Sequence, residues 1–130
     1  MIDTNVLISA SKSPLGNPFR AFQKATALPN RAIVCHQNIK ELRYIYNKKF
    51  PDKITEMEHF LTLALSVIEI VSTPLTKIDE EKKIRDVTDR PILRAAINAE
   101  ADILITGDKD FIEAGLTKPK IMTPKEFLSL

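Results

Sequence analysis

The sequence predicts an α/β fold, a parallel β-sheet flanked by helices, in a single domain over residues 1–130. Short apolar runs of strand length alternate with segments whose apolar residues repeat at helical spacing. Strands separated by helices are typical of a parallel sheet that is covered on both faces. The length of 130 residues suits one domain with one core, and no internal repeat marks a second domain.

The first half of the chain contains three predicted strands and three predicted helices. In chain order they cover residues 1–2, 19–27, 32–35, 37–47, 52–65 and 67–71. The helix over residues 37–47 carries Ile39, Leu42 and Tyr46 on one face, which predicts that this face is buried. The next helix is expected to begin at Asp52, because aspartate is a favourable capping residue.

The second half continues the same alternation. A charged connection with a short helical piece covers residues 72–87, and it is followed by predicted elements over residues 91–99, 103–106, 120–123 and 124–128. The first and last of these four are helices, since Pro91 and Pro124 are favoured at the first helical positions. The other two are strands, and Ile-Leu-Ile-Thr at residues 103–106 is the clearest of all.

The composition predicts a cytoplasmic protein without a membrane partner. The formal net charge of +2 neither requires nor excludes a nucleic-acid partner. The single cysteine, Cys35, cannot form an internal disulfide bond, which is typical of a reducing compartment. No signal segment is visible at the N-terminus, and the apolar runs are too short to span a membrane.

Acidic side chains are the residues whose pattern resembles an active site. Asp3 follows the first apolar stub and Asp108 follows the strand over residues 103–106. Asp89 stands at the start of a helix, and Glu41 lies in the first turns of the helix after Cys35. Because ligands bind beyond the carboxyl ends of parallel strands, these acids are expected to meet at that edge of the sheet.

Clustered carboxylates predict a divalent cation. They repel one another and raise one another's pKa unless a cation neutralises them. Mg²⁺ prefers oxygen ligands, and two such ions can activate a water and stabilise the leaving oxygen of a phosphodiester. The predicted catalytic and metal-binding residues are Asp3, Glu41, Asp89 and Asp108. Asp110 is a further metal candidate, and Asn5 and Thr106 are expected to shape the pocket through hydrogen bonds.

Four motifs occur in order along nearly the whole chain: Asp-Thr-Asn from Asp3, Glu41-Leu, Asp86-Val-Thr-Asp89-Arg-Pro, and Thr106-Gly-Asp-Lys-Asp110. This order resembles the PIN domain family, in particular its bacterial and archaeal subgroup of toxin components from toxin–antitoxin pairs. The resemblance implies a PIN-like fold and a metal-dependent endoribonuclease that uses Mg²⁺ or Mn²⁺ to cleave RNA. It also implies a cognate antitoxin protein and a homodimer as candidate partners.

Two departures from the family pattern carry structural expectations. Family members usually have more residues before the first aspartate, so the strand formed by Met1 and Ile2 is expected to be short. His36 stands where the pattern usually has serine, and Asn38 is expected to cap the helix instead.

Basic and aromatic side chains near the acids are candidate contacts for RNA. The basic candidates are Arg43, Lys48, Lys49, Arg90 and Lys109. For each of them a solvated surface position is the ordinary alternative. Tyr44 could stack on a base, whereas Tyr46 is better explained as a core residue. Cys35 with His36 and His59 lacks the spacing of a zinc site, and His59 is expected on a helix surface.

Two other functions compete with the nuclease. A haloacid-dehalogenase-type phosphatase also begins with an aspartate after a strand, but its general acid would stand two residues later, where this chain has Asn5. A PIN-like RNA- or protein-binding module with a weak pocket is the stronger alternative. The spatial convergence of Asp3, Glu41, Asp89 and Asp108 distinguishes the enzyme from this module.

Overall fold

The computed structural model describes residues 1–130 and contains seven α-helices and four strands. In chain order these are α1 (Thr4–Lys12), α2 (Asn17–Thr26), β1 (Ile33–Cys35), α3 (His36–Lys49), α4 (Ile54–Ala64), β2 (Glu69–Val71), α5 (Arg90–Asn98), β3 (Ile103–Ile105), α6 (Lys109–Ile112), β4 (Lys120–Met122) and α7 (Pro124–Leu128). Short 3₁₀ helices cover Pro51–Lys53, Asp79–Lys83 and Val87–Asp89. The predicted α/β class is confirmed.

The first residues of the chain connect two pairs of parallel strands. β1 pairs with β2, and β3 pairs with β4. Between the pairs, the N–H of Ile2 donates to the carbonyl of Ile33 at 3.1 Å, and the N–H of Asp3 donates to the carbonyl of Ile105 at 3.0 Å. The order across the sheet is therefore β2, β1, residues 1–3, β3 and β4, with the predicted short first strand at the centre.

Apolar cores cover both faces of this sheet, because successive strand residues point to opposite sides. On one face, Ile2, Val34 and Ile105 pack with residues of α1, α2, α3, α4 and α7. On the other face, Ile33 and Leu104 pack with residues of α5 and α6. Covering of both faces is the condition under which a parallel sheet is stable in water.

Several predicted details differ from the structure. Helices α1 and α6 were not among the predicted elements, and α2 begins at Asn17, two residues earlier than expected. The prediction that Asp52 caps α4 was wrong. Asp52 lies in the 3₁₀ turn Pro51–Lys53, which Pro51 opens, and no side chain caps α4.

Other details agree with the sequence. The side-chain oxygen of Asn38, the third residue of α3, accepts a hydrogen bond from the N–H of Cys35 at 2.9 Å. Asn38 therefore contributes to a capping box at the start of α3, while Cys35 occupies the N-cap position. Tyr46 is buried and His59 is exposed. None of the helices combines the length and the apolar character that crossing a bilayer requires.

A buried ion pair fixes the segment before α5. Arg94 on α5 donates to both carboxylate oxygens of Glu81, at 3.0 and 2.7 Å, and to the carbonyl of Pro74 at 2.7 Å. The whole of Arg94 is 8% exposed and Glu81 is 3% exposed. These contacts hold the connection between β2 and α5, which includes Asp86, against the body of the protein.

Removing Arg94 alone is expected to destabilise the fold. Arg94→Met leaves the Glu81 carboxylate buried without a partner, and such a change costs about 3–5 kcal/mol. Replacing both residues, as Glu81→Leu with Arg94→Met, is expected to recover most of this loss. Urea unfolding followed by circular dichroism measures both variants, and equal stability of the single and double variants would contradict the prediction.

Candidate active site

Asp3 lies at the carboxyl end of the central strand and caps α1. One carboxylate oxygen accepts from the N–H of Thr4 at 2.8 Å, and the other accepts from the hydroxyl of Thr106 at 2.7 Å. Burial raises the pKa of Asp3 to about 6, although both hydrogen bonds act to lower it, and the charges of Glu41 and Asp108 add to the increase. Asp3 is therefore oriented on both sides and close to other acids.

Thr106 connects Asp3 to the next carboxylate. Its fully buried hydroxyl donates to Asp3 and accepts from the N–H of Asp108 at 3.0 Å. Asp108 caps α6 and accepts from the N–H of Asp110 at 2.9 Å. One threonine thus fixes the positions of two acids that follow neighbouring strands. The exposed Asn5 lies beside Gly107 and makes no hydrogen bond to the acids.

Glu41 is half-buried on α3 and points to the same place. The hydroxyl of Thr4 donates to Glu41 at 2.8 Å, and the amide of Asn38 donates to the Thr4 hydroxyl at 3.0 Å. Burial raises the pKa of Glu41, and the charges of Asp86 and Asp108 contribute to the increase. Because Thr4 directly follows Asp3 in the sequence, its hydrogen bond to Glu41 fixes the position of Glu41 relative to Asp3.

Asp89 completes the group at the start of α5. Burial raises the pKa of Asp89, and a hydrogen bond shared with Asp108 raises it further. Carboxylate oxygens of Asp86, Asp89 and Asp110 lie within 4.8 Å of one another. The N–H and the hydroxyl of Thr88 both donate to Asp86, which holds the pKa of Asp86 below its usual range.

The charge of Asp108 acts on Asp3, Glu41 and Asp89, so the four predicted acids lie within electrostatic reach of one another. Of these four, only Asp89 belongs to the group of carboxylates within 4.8 Å, which it forms with Asp110 and with Asp86. Sequence reasoning missed Asp86 as a site residue, although it stands three positions before Asp89. The spacing of three residues is the signal in the sequence that could have found Asp86. In the structure a 3₁₀ helix, Val87–Asp89, follows Asp86, and side chains three residues apart lie on the same side of such a helix. The orienting role of Thr4 was also missed.

The basic side chains predicted to contact RNA differ in whether they already have a partner within the protein. Arg43 pairs with Glu58 of α4 at 2.9 Å, so its charge is already matched. The side-chain Nε of Arg90 donates to the carbonyl of Ile84 at 2.9 Å. Lys48, Lys49 and Lys109 are exposed. In addition, Arg85 pairs with Asp110 at 2.8 Å at the edge of the pocket.

Two grooves, each of about 480 Å³, open on the surface. One lies beside the acids, between α3 and the turn before α5, and Glu41 and Asp89 are part of its wall. The other lies at the opposite edge of the sheet, among residues such as Met1, Ala32 and Ala101. Of these two grooves, only the first one adjoins the carboxylates.

A family model described as PIN domain matches residues 1–110 of the chain. The protein belongs to the PIN domain family. Proteins of this family are generally nucleases that use divalent metals. The family assignment drawn from the order of the four motifs is thereby confirmed.

A solved structure shares the fold of this PIN domain. It is the crystal structure of VapBC2 from Rickettsia felis bound to a DNA fragment from their promoter. The TM-score is 0.70 at 19% sequence identity, and the match covers 94% of this chain and 95% of that chain. At this identity the similarity establishes the fold alone. A comparison with curated protein sequences found no match.

The carboxylates of this PIN domain have the chemistry that a divalent cation requires. Their oxygens are hard ligands, and oxygens of Asp86, Asp89 and Asp110 lie within 4.8 Å of one another. Burial is the main cause of the raised pKa values of Asp3, Glu41 and Asp89, and the charges of neighbouring carboxylates add to it. A bound cation would offset both effects by stabilising the charged carboxylates. The residues present therefore fit the metals that the family uses.

The Thr106 hydroxyl is expected to support metal binding. Thr106→Val removes the hydrogen bond to Asp3 and leaves the N–H of Asp108 without its acceptor. Loss of such an orienting contact lowers metal affinity about 10- to 100-fold. Titration calorimetry with Mn²⁺ measures the change, and Thr106→Ser, which keeps the hydroxyl, is the control. Equal affinities of the two variants would contradict this role.

Without a divalent cation, stability is expected to fall as the pH rises from about 4 to about 8, the range between the ordinary pKa of an aspartate and the raised pKa of Asp89. The raised pKa of Asp3 means that the folded state holds a proton which the unfolded state releases, so increasing pH favours unfolding. The shift from 3.8 to about 6 corresponds to about 3 kcal/mol for Asp3. Glu41 and Asp89 act in the same direction.

Urea unfolding in a chelator across this pH range measures the slope. Addition of Mn²⁺ is expected to restore stability mainly at the upper end, where the carboxylates are charged, and Asp3→Asn is expected to flatten the slope. A metal-free protein that is as stable at neutral pH as in mild acid would overturn the electrostatic account.

Proposed function

We propose that this PIN domain is an endoribonuclease that depends on Mg²⁺ or Mn²⁺ and hydrolyses RNA phosphodiester bonds. The observation that carries the proposal is the convergence of acids from distant parts of the chain, namely Asp3, Glu41, Asp86, Asp89 and Asp108. Three of them have raised pKa values, and such perturbed groups concentrate at functional sites. The family to which the chain belongs supports the same reaction class.

In the proposed mechanism Asp3, Glu41, Asp89 and Asp108 would hold the metal, and Asp86 and Asp110, whose oxygens lie within 4.8 Å of Asp89, are further candidate ligands. A bound divalent cation supplies activation of a water molecule and stabilises charge on the phosphodiester during hydrolysis. The chain itself supplies orientation. Thr106 holds Asp3 and Asp108, while Thr4 holds Glu41.

The residue two positions after Asp3 argues against the phosphatase alternative, whose general acid would stand there. Asn5, at the position of the required general acid, is an amide and does not release a proton. This observation supports a hydrolysis without a side-chain nucleophile.

The electrostatic contacts among the acids also favour an enzyme over a binding module. Asp3 acts on the pKa of Asp89, and Asp108 acts on the pKa values of Asp3, Glu41 and Asp89. A pocket without a metal would keep this unfavourable repulsion without any compensating gain.

We also propose that the chain is the toxin of a toxin–antitoxin pair with a cognate antitoxin protein as partner. Two observations support this partner. The order of the four motifs resembles the toxin subgroup, and a chain of the VapBC2 structure shares the fold over 94% of this chain.

Asp3→Asn is expected to abolish metal-dependent RNA cleavage without unfolding the protein. The change removes one charged ligand, and the Lewis-acid contribution of several kcal/mol corresponds to a loss of about a thousandfold in rate. A labelled RNA incubated with Mn²⁺ and analysed on a denaturing gel measures cleavage, while circular dichroism measures folding.

The matched control is Asp52→Asn, which neutralises an exposed aspartate in the turn Pro51–Lys53. Asp52→Asn is expected to cleave RNA at the native rate. A chelator is expected to stop cleavage by the native protein and by Asp52→Asn. Retained cleavage by a clean preparation of Asp3→Asn would falsify the metal mechanism.

A further inference from the structure

A row of basic and aromatic side chains runs along α3 next to the acids. Lys40, Tyr44 and Lys48 stand four residues apart, so they follow one another along a single helix face. Tyr44 is 63% exposed, and the ammonium of Lys48 lies 5.7 Å from the centre of its ring. An aromatic ring between two cations is thus presented to solvent.

Two members of this row, Lys40 and Tyr44, lie in one wall of the groove beside the carboxylates, and Lys48 follows one helical turn after Tyr44. Lys40, Tyr44 and Ile45 line the groove from α3, and Thr88 lines it from the opposite side. Glu41 belongs to both the groove and the acidic pocket, since it stands one residue after Lys40 and three before Tyr44. The volume of about 480 Å³ lies within the usual range of small-ligand sites, about 300–1,000 Å³.

We propose that this groove binds single-stranded RNA, with Tyr44 stacking on a base next to the scissile phosphate and Lys40 and Lys48 contacting flanking phosphates. The proposal deepens the proposed function and rests on it for the position of the scissile phosphate. Stacking on an aromatic side chain requires an unpaired base, which a duplex does not offer. The groove therefore selects for single strands with little regard to sequence.

Charge favours RNA over a protein as the occupant. A polyanion matches the two lysines, whereas the centre of a protein interface is usually depleted of lysine. Arg43 does not line the groove, and its charge is already paired with Glu58. Lys40 and Lys48 make no ion pair within the chain, so both remain available to phosphates.

Fluorescence anisotropy of a labelled single-stranded RNA tests the groove. Every protein in this experiment carries Asp3→Asn, so that the RNA is not consumed. Tyr44→Ala is expected to weaken binding about 5- to 150-fold, as the loss of one stacked base does, without changing the salt dependence. Tyr44→Phe keeps the ring and is expected to bind within about twofold of the parent.

Lys48→Ala is expected to act differently. It removes one phosphate contact and therefore reduces the slope of log affinity against log salt by about 0.7. The matched control is Lys125→Ala, which removes an exposed lysine on α7, away from the groove. Annealing the RNA to its complement is expected to weaken binding and to remove the effect of Tyr44→Ala.

Failure of this proposal and failure of the nuclease are distinguishable. If the chain with native Asp3 cleaves RNA and Tyr44→Ala changes neither cleavage nor binding, the groove proposal is overturned while the nuclease stands. If binding depends on Tyr44 but the native chain does not cleave, the groove stands and the nuclease is overturned. Two further results would overturn the proposal. One is an equal loss of RNA affinity in Tyr44→Phe and Tyr44→Ala, and the other is an RNA affinity that changes neither in Tyr44→Ala nor in Lys48→Ala. Either result would favour a protein as the occupant of the groove.

Discussion

The backbone hydrogen bonds of Ile2 and Asp3 hold the two halves of the sheet together. On one side they reach Ile33 of β1, and on the other they reach Ile105 of β3. The next peptide begins α1, so Asp3 is at once the end of the central strand and the cap of a helix. Every other feature of the acidic pocket is positioned relative to this point.

Two threonines fix the positions of Glu41 and Asp108 relative to Asp3. Thr4, directly after Asp3, binds Glu41 on α3, and Thr106, directly after β3, binds Asp3 and the backbone of Asp108. Neutral hydroxyl groups can orient carboxylates without cancelling their charge. The pocket therefore keeps a net negative field suited to cations, while its geometry is fixed by short hydrogen bonds.

The sequence was informative where periodicity and residue chemistry agreed. The apolar run at β3 and the buried face of α3 follow from local patterns. Asp3 and Asp108 directly follow neighbouring strands, and such strand ends meet at one edge of a parallel sheet. Helix α1 was not predicted since its Val-Leu-Ile run also suits a strand. The Asp52 cap failed because Pro51 starts a 3₁₀ turn there. Asp86 was missed because its role depends on the turn that brings it onto the side of Asp89.

The central position of residues 1–3 has a consequence for folding. The contact between Thr106 and Asp3 joins residues 103 positions apart, so the middle of the sheet forms only when nearly the whole chain is available. Such distant pairing is slow compared with helix formation. Until β3 has been synthesised, Ile2 and Val34 lack the strand that completes their burial, and the acidic pocket does not yet exist. Activity that depends on this pocket is consequently confined to the completed chain.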